Sequence, residues 1–95
     1  MHLTTEQIEV LDCLQDDYEN VEQLCQMLEG RFTDRTLIKH LRALIEAGYV
    51  ACYEPTPTAL ARVLKCDPRK MRTYWFGLTD KGRTAAGSHV AALKG

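Results

Sequence analysis

Three helix starts lie within the first 48 residues, and they leave this chain little freedom in how it folds. Thr4 with Gln7 forms a capping box, in which each side chain satisfies the other's free backbone amide, and Leu3 with Ile8 occupies the staple positions around it. Ile8, Leu11 and Leu14 then repeat at helical spacing until the polar residues 15–19 interrupt them. Asn20 with Gln23 offers a second cap, followed by the stripe Val21, Leu24, Cys25 and Leu28, which Gly30 should end. Thr33 is the third cap, with Phe32 and Leu37 as its staple. Leu37, Leu41, Leu44 and Ile45 follow at i, i+4, i+7 and i+8, and Gly48 should stop this helix. The second and third helices are separated by residues 29–33, the short connection expected of a helix-turn-helix pair.

The pattern changes after Gly48. Tyr49-Val50-Ala51-Cys52-Tyr53, closed by Glu54-Pro55, and Arg72-Thr73-Tyr74-Trp75-Phe76 are rich in β-formers and are predicted to pair antiparallel. The connection over residues 55–71 is too long for a plain hairpin loop. Leu60, Val63 and Leu64 after Thr58 predict a short helix within it, which Asp67-Pro68 would end. Thr79 can cap a last helix running into an alanine-rich tail, although Gly82 and Gly87 each cost about 1 kcal/mol of helix propensity. Fraying is expected beyond Leu93. Trp75 and Phe76 must point to opposite sheet faces; Phe76 is the expected core residue, and Trp75 is expected to cover the inserted helix or a partner subunit.

Charge is distributed unevenly. The net charge is −1, a weak argument against nucleic acid as partner, yet residues 1–30 carry eight acids and no Lys or Arg, whereas residues 31–95 carry twelve cations against five acids. One acidic and one basic surface should result. On a helical wheel Arg35, Lys39 and Arg42 fall within about 60° of one another, opposite Leu37, Leu41 and Leu44. Such a face suits the DNA major groove, with Thr36 and His40 at its border and His40 nearer the apolar side. An ordinary solvated face paired with Glu46 is the alternative. Arg69, Lys70 and Arg72, preceded by Arg62 and Lys65, add a second basic cluster suited to phosphates.

Other classes find little support. No apolar run approaches the roughly 20 residues of a membrane span, and Met1-His2-Leu3-Thr4-Thr5 lacks the order of a signal peptide, so a cytoplasmic chain without a membrane partner is expected. Cys13, Cys25, Cys52 and Cys66 are widely spaced, with no C-x-x-C pair, and are read as reduced thiols. Cys13 and Cys25 belong to apolar helix faces. A redox role for Cys52 and Cys66, or a soft metal site joining them to a histidine, has no diagnostic spacing behind it. His2, His40 and His89 are scattered, and neither a phosphate loop nor a nucleophile elbow is present; no catalytic residue, metal site or cofactor is expected.

The order helix, helix, helix, strand, insertion, strand, helix resembles the winged helix-turn-helix superfamily. Leu41-Arg42-Ala43-Leu44-Ile45-Glu46-Ala47-Gly48-Tyr49-Val50 and Tyr74-Trp75-Phe76-Gly77-Leu78-Thr79-Asp80-Lys81-Gly82 resemble MarR- and PadR-type transcriptional regulators. The resemblance covers about residues 4–83. It implies an α+β, mostly α fold: a three-helix core, a two- to three-stranded wing holding the inserted helix, and a C-terminal helix. The expected organisation is one domain over 1–95, with core 4–83, wing 49–78 and last helix 79–93. The resemblance further implies a double-stranded DNA-binding regulator, a homodimer through its terminal helices, with recognition helix 34–47 and basic wing 62–72 on the phosphate backbone. The competing expectation is a protein-interaction module of a larger assembly, using the acidic helices and Trp75.

Overall fold

The three helix starts form where the caps place them. In the computed structural model, which describes residues 2–94 with side chains through residue 87, α1 spans Thr5–Cys13, α2 Val21–Met27 and α3 Asp34–Glu46. Thr4 Oγ1 accepts from the Gln7 amide at 3.1 Å while the Thr4 amide donates to Gln7 Oε1 at 3.0 Å. Asn20 and Gln23 repeat the exchange at 2.9 and 3.3 Å, and Thr33 Oγ1 accepts from the Thr36 amide at 3.1 Å. Each start thereby satisfies amides that have no partner inside the helix.

The ends are as specific. α2 stops at Met27, three residues before Gly30, because Glu29 already turns left-handed (φ 55°), followed by Gly30 (φ 71°), and the Gly30 amide reaches back to the Cys25 carbonyl at 3.2 Å. α3 closes in the same manner at Gly48 (φ 87°), with the Tyr49 amide on the Leu44 carbonyl at 2.9 Å. Between these ends Leu11, Leu24, Leu28, Leu37, Leu41 and Leu44 are fully buried and meet in one core.

The core is roofed by a four-stranded antiparallel sheet of β1 (Glu19–Asn20), β2 (Val50–Pro55), β3 (Leu60–Val63) and β4 (Trp75–Leu78), in the order β1-β4-β2-β3. β2 and β4 pair as expected, with Cys52 opposite Phe76 and Tyr53 opposite Trp75. Alternation sends Phe76 into the core, fully buried, and leaves Trp75 half-buried on the other face. The polar break at residues 15–19 conceals β1, whose Glu19 and Asn20 pair with Phe76 and Trp75 and cover the edge of β4.

The insertion departs from expectation. Residues Leu60–Val63 are a strand, not a helix: a turn in which Thr56 Oγ1 accepts from the Ala59 amide, with Pro57 at its second position, folds them back along β2. A stripe of only Leu60, Val63 and Leu64 cannot sustain an isolated helix, whereas the free edge of β2 offers ladder bonds at once. The helical turn lies downstream, as a 3₁₀ helix, η1, over Pro68–Thr73. Asp67-Pro68 begins this element rather than ending one, because Asp67 accepts from the Arg69 amide at 2.9 Å and proline fits a first turn. Arg72 and Thr73 consequently belong to η1, and β4 starts at Trp75.

The expectation of four reduced thiols is overturned for two of them. The β2–β3 hairpin returns the chain so that Val63 pairs with Cys52, and three residues later Cys66 is bonded to Cys52 as a disulfide. Cys13 and Cys25 remain free and half-buried. The last helix, α4, runs over Asp80–Lys94, with Thr79 Oγ1 accepting from the Gly82 amide at 3.1 Å. The helix thus continues one residue past Leu93, where fraying was expected, while Gly95 and the side chain of His89 lie outside the described residues. No helix among those residues is long and apolar enough to cross a membrane.

Candidate nucleic-acid interface

α3 divides its residues by face. Leu37, Leu41 and Leu44 are fully buried, and Arg35, Thr36, Lys39 and Arg42 are exposed on the opposite side. His40 is half-buried, its ring 5.6 Å from that of Phe32, as its place near the apolar side implied. Glu46, a pairing candidate on sequence grounds, makes no ion pair among the described residues.

η1 supplies a second basic face. Its Met71 is buried and anchors it to the core, while Arg69, Lys70 and Arg72 are exposed. A 3₁₀ helix has three residues per turn, so Arg69 and Arg72 eclipse each other and Lys70 is rotated away. Arg69 and Arg72 accordingly join Arg35, Lys39 and Arg42 around one open groove of about 570 Å³, with Ile38, Ala43 and Met71 also lining it and Glu46 its one acid; Lys70 does not line it. Thus two clusters more than 25 residues apart in sequence face each other across one channel.

The basic segment 62–72 does not act as one surface. Arg62 lies on β3 opposite Tyr53 and lines a separate hollow with Tyr18, Tyr53 and Arg83. Lys65 is exposed in the connection before Cys66.

Two interactions at the groove were not legible in the sequence. Arg72 Nη1 lies 3.8 Å from Asp34 Oδ2, tying η1 to the first turn of α3, and Cys25 Sγ donates to Asp34 Oδ1 at 3.1 Å. Burial, then the hydrogen bond to Asp34, pushes the Cys25 thiol up to about 11, so it stays protonated at neutral pH. The amide of Arg69 on Asp67, followed by the Arg69 side chain, holds the Asp67 carboxyl below its usual range. The Asp67-Pro68 dipeptide was a readable start signal for η1; the Asp34 contacts join elements with no shared pattern.

The metal alternative for Cys52 and Cys66 is overturned, since both sulfurs are engaged in their mutual bond. Among the described residues no three His, Cys, Asp or Glu side chains come together to hold a metal ion.

No protein-family model and no curated protein sequence matches this chain. Among solved structures it is similar to the adhesin competence repressor AdcR from Streptococcus pyogenes, with a TM-score of 0.73 and 18% identity over 97% of this chain and 57% of that one. It is also similar to a singly substituted form of ZitR from Lactococcus lactis, with a TM-score of 0.72 and 20% identity over 96% of this chain and 53% of that one.

The fold is a winged helix.

A short turn joins α2 to α3, β2 to β4 form an antiparallel run, and η1 lies beside α3. The chain spans a little over half the length of the solved chains it matches.

Proposed function

We propose that this chain binds double-stranded DNA and regulates transcription, with α3 in the major groove and η1 on the adjacent phosphates. The observation that carries this reading is the groove itself: a chain of net charge −1 gathers Arg35, Lys39, Arg42, Arg69 and Arg72 around one channel. Guanidinium groups on α3 suit the O6 and N7 of guanine, and Thr36 is exposed beside them to meet a base or phosphate. His40, half-buried against Phe32, borders this face. On this reading Arg69 and Arg72, which line the groove, make the backbone contacts that set the register of α3, with Lys70, which does not line it, contributing from η1 as a further backbone contact. The repressor named among the similar structures supports the same reading.

One module of this size contacts a single half-site. The proposed active form is a homodimer, acting in the cytoplasm on two half-sites about one helical turn, roughly 34–36 Å, apart. A salt titration on mixed-sequence duplex DNA tests the proposal. The log–log slope of affinity against salt should become shallower by roughly 0.9 for each phosphate that a variant no longer neutralises, and Arg35→Glu should abolish binding. Absence of binding by the folded chain at low salt would sink the DNA reading and turn attention to a protein partner for the acidic helices.

A further inference from the structure

Of the elements around the groove, η1 is the least securely seated. Its C-terminal end runs directly into the fully buried Tyr74 and β4. Its N-terminal end follows a connection in which Leu64 is 93% exposed and Lys65 is also exposed, so that stretch packs on almost nothing. Three contacts hold that end. Met71 is buried, the Asp67 amide donates to Tyr74 Oη at 3.0 Å, and Cys66 is bonded to Cys52 of β2. Only the last is covalent, and it is the only one that ordinary solution chemistry can open without changing the sequence.

We infer that Cys52–Cys66 is a thiol–disulfide exchange site, opened by a dithiol reductant, whose state decides whether the N-terminal part of η1 holds Arg69 against α3. Its consequence for DNA rests on the function proposed above; its consequence for η1 does not.

Access to the bond is one-sided. Cys52 is 0% exposed, whereas Cys66 is half-buried and lines an opening of about 150 Å³ with Arg42, Ile45, Glu46, Pro68 and Met71. An incoming thiolate therefore attacks Cys66 Sγ. The Cys52 sulfur leaves as a thiolate and takes up a proton, with the Val63 carbonyl oxygen, 3.8 Å away, as acceptor for the thiol formed. The second thiol of the reductant then attacks its own sulfur in the mixed disulfide and releases Cys66. Two electrons and two protons pass to the protein, which ends with two thiols, and the dithiol ends as a disulfide. Cys13 and Cys25 lie on α1 and α2 as free thiols and are not bonded to the Cys52–Cys66 pair.

In the oxidised chain η1 is fixed at both ends, and the eclipsed pair Arg69 and Arg72 faces Arg35, Lys39 and Arg42. In the reduced chain its N-terminal end is held by Met71 and one hydrogen bond, so Arg69 no longer keeps a fixed spacing with α3, whereas Arg72, between the buried Met71 and Tyr74 and facing Asp34, stays in place.

The full chain can be compared before and after treatment with dithiothreitol, with alkylation and mass measurement reporting the thiols: Cys13 and Cys25 alone, then all four cysteines. Reduction should speed hydrogen exchange at amides 66–73 by roughly tenfold or more while leaving the amides of α3 protected. It should also make the salt slope on duplex DNA shallower by about one, as expected when the phosphate met by Arg69 is no longer neutralised. Cys66→Ser should behave as the reduced form with or without reductant, and Cys13→Ser with Cys25→Ser should keep the full response. Alkylation of all four cysteines in the oxidised preparation overturns the inference, as does exchange at 66–73 that ignores reduction. An identical DNA slope in both forms overturns it while leaving the DNA reading intact. If neither form binds DNA but exchange responds, the switch stands and the DNA reading falls.

Discussion

The carboxylate of Asp34 lies between two partners, accepting from Cys25 Sγ at 3.1 Å and facing the Arg72 guanidinium at 3.8 Å. It is also the acid in the first turn of the helix that lines the basic groove. Its charge therefore favours the start of α3 and, at the same time, occupies a cation otherwise free for phosphate.

Asp34→Asn separates these effects. Losing the charge at the helix start should cost roughly 0.5 kcal/mol of stability. DNA affinity should rise several-fold at low salt, because Arg72 is released and a negative charge near the phosphate path is removed. Urea denaturation and a binding titration read the two outcomes. Weaker binding by a folded Asp34→Asn protein would mean that Arg72 needs this partner to be held in place.

Met71→Ala should be the most damaging single change at the groove. Met71 is 1% exposed and is the one side chain of η1 in the core, so truncation should cost about 2–5 kcal/mol. Met71→Leu, which keeps the volume, should cost less than about 1.5 kcal/mol. The salt slope should fall for Met71→Ala and not for Met71→Leu. Equal slopes would mean that η1 does not depend on its core anchor.

Much of this architecture was readable from local chemistry. Thr4, Asn20 and Thr33 each announce a helix by a side-chain oxygen that needs no distant partner, and all three helices begin there. The basic face of α3 was equally legible, because helical periodicity alone separates Arg35, Lys39 and Arg42 from the leucines. The insertion was not. Leu60 and Val63 are three apart, a helical spacing that puts them on opposite faces of a strand, and the strand was chosen by the open edge of β2, a tertiary fact. The Cys52–Cys66 bond follows from the same hairpin and leaves no trace in the spacing of the cysteines. The joining of Arg69 and Arg72 to the α3 groove depended on the 3₁₀ geometry of η1, which a basic run does not specify.

Stability should fall at alkaline pH. Burial raises the Cys13, Cys25 and Tyr53 groups above their ordinary values in the folded chain, with the nearby Asp12, Asp34 and Tyr18 respectively adding to the effect. A group raised on folding contributes stability that is complete below its unfolded value and is lost as pH climbs through the folded one. For Cys25 that window runs from about 9 to about 11. Asp67, lowered on folding, acts in the opposite direction: its contribution is present above its ordinary 3.8 and disappears as pH falls below. Urea midpoints should decline above about pH 9, and Cys25→Ala should flatten that decline. An unchanged decline in Cys25→Ala would assign it to Cys13 and Tyr53.

Gly82 and Gly87 lie in one helix and should respond to alanine with opposite signs. By helix propensity each substitution gains up to about 1 kcal/mol. At Gly87 a new Cβ meets nothing within 4 Å, so Gly87→Ala should realise most of that gain. At Gly82 a Cβ would collide with the backbone carbonyl oxygen of Tyr49, the same oxygen that accepts from the Thr79 amide at 3.1 Å where α4 crosses the end of α3. Backbone cannot rotate aside as a side chain can. Gly82→Ala must displace α4 or break that hydrogen bond, and a net loss of about 2 kcal/mol or more is expected. Thermal or urea denaturation of both variants decides the matter, and a stabilised Gly82→Ala protein would show that α4 is not packed this closely on the Gly48–Tyr49 turn.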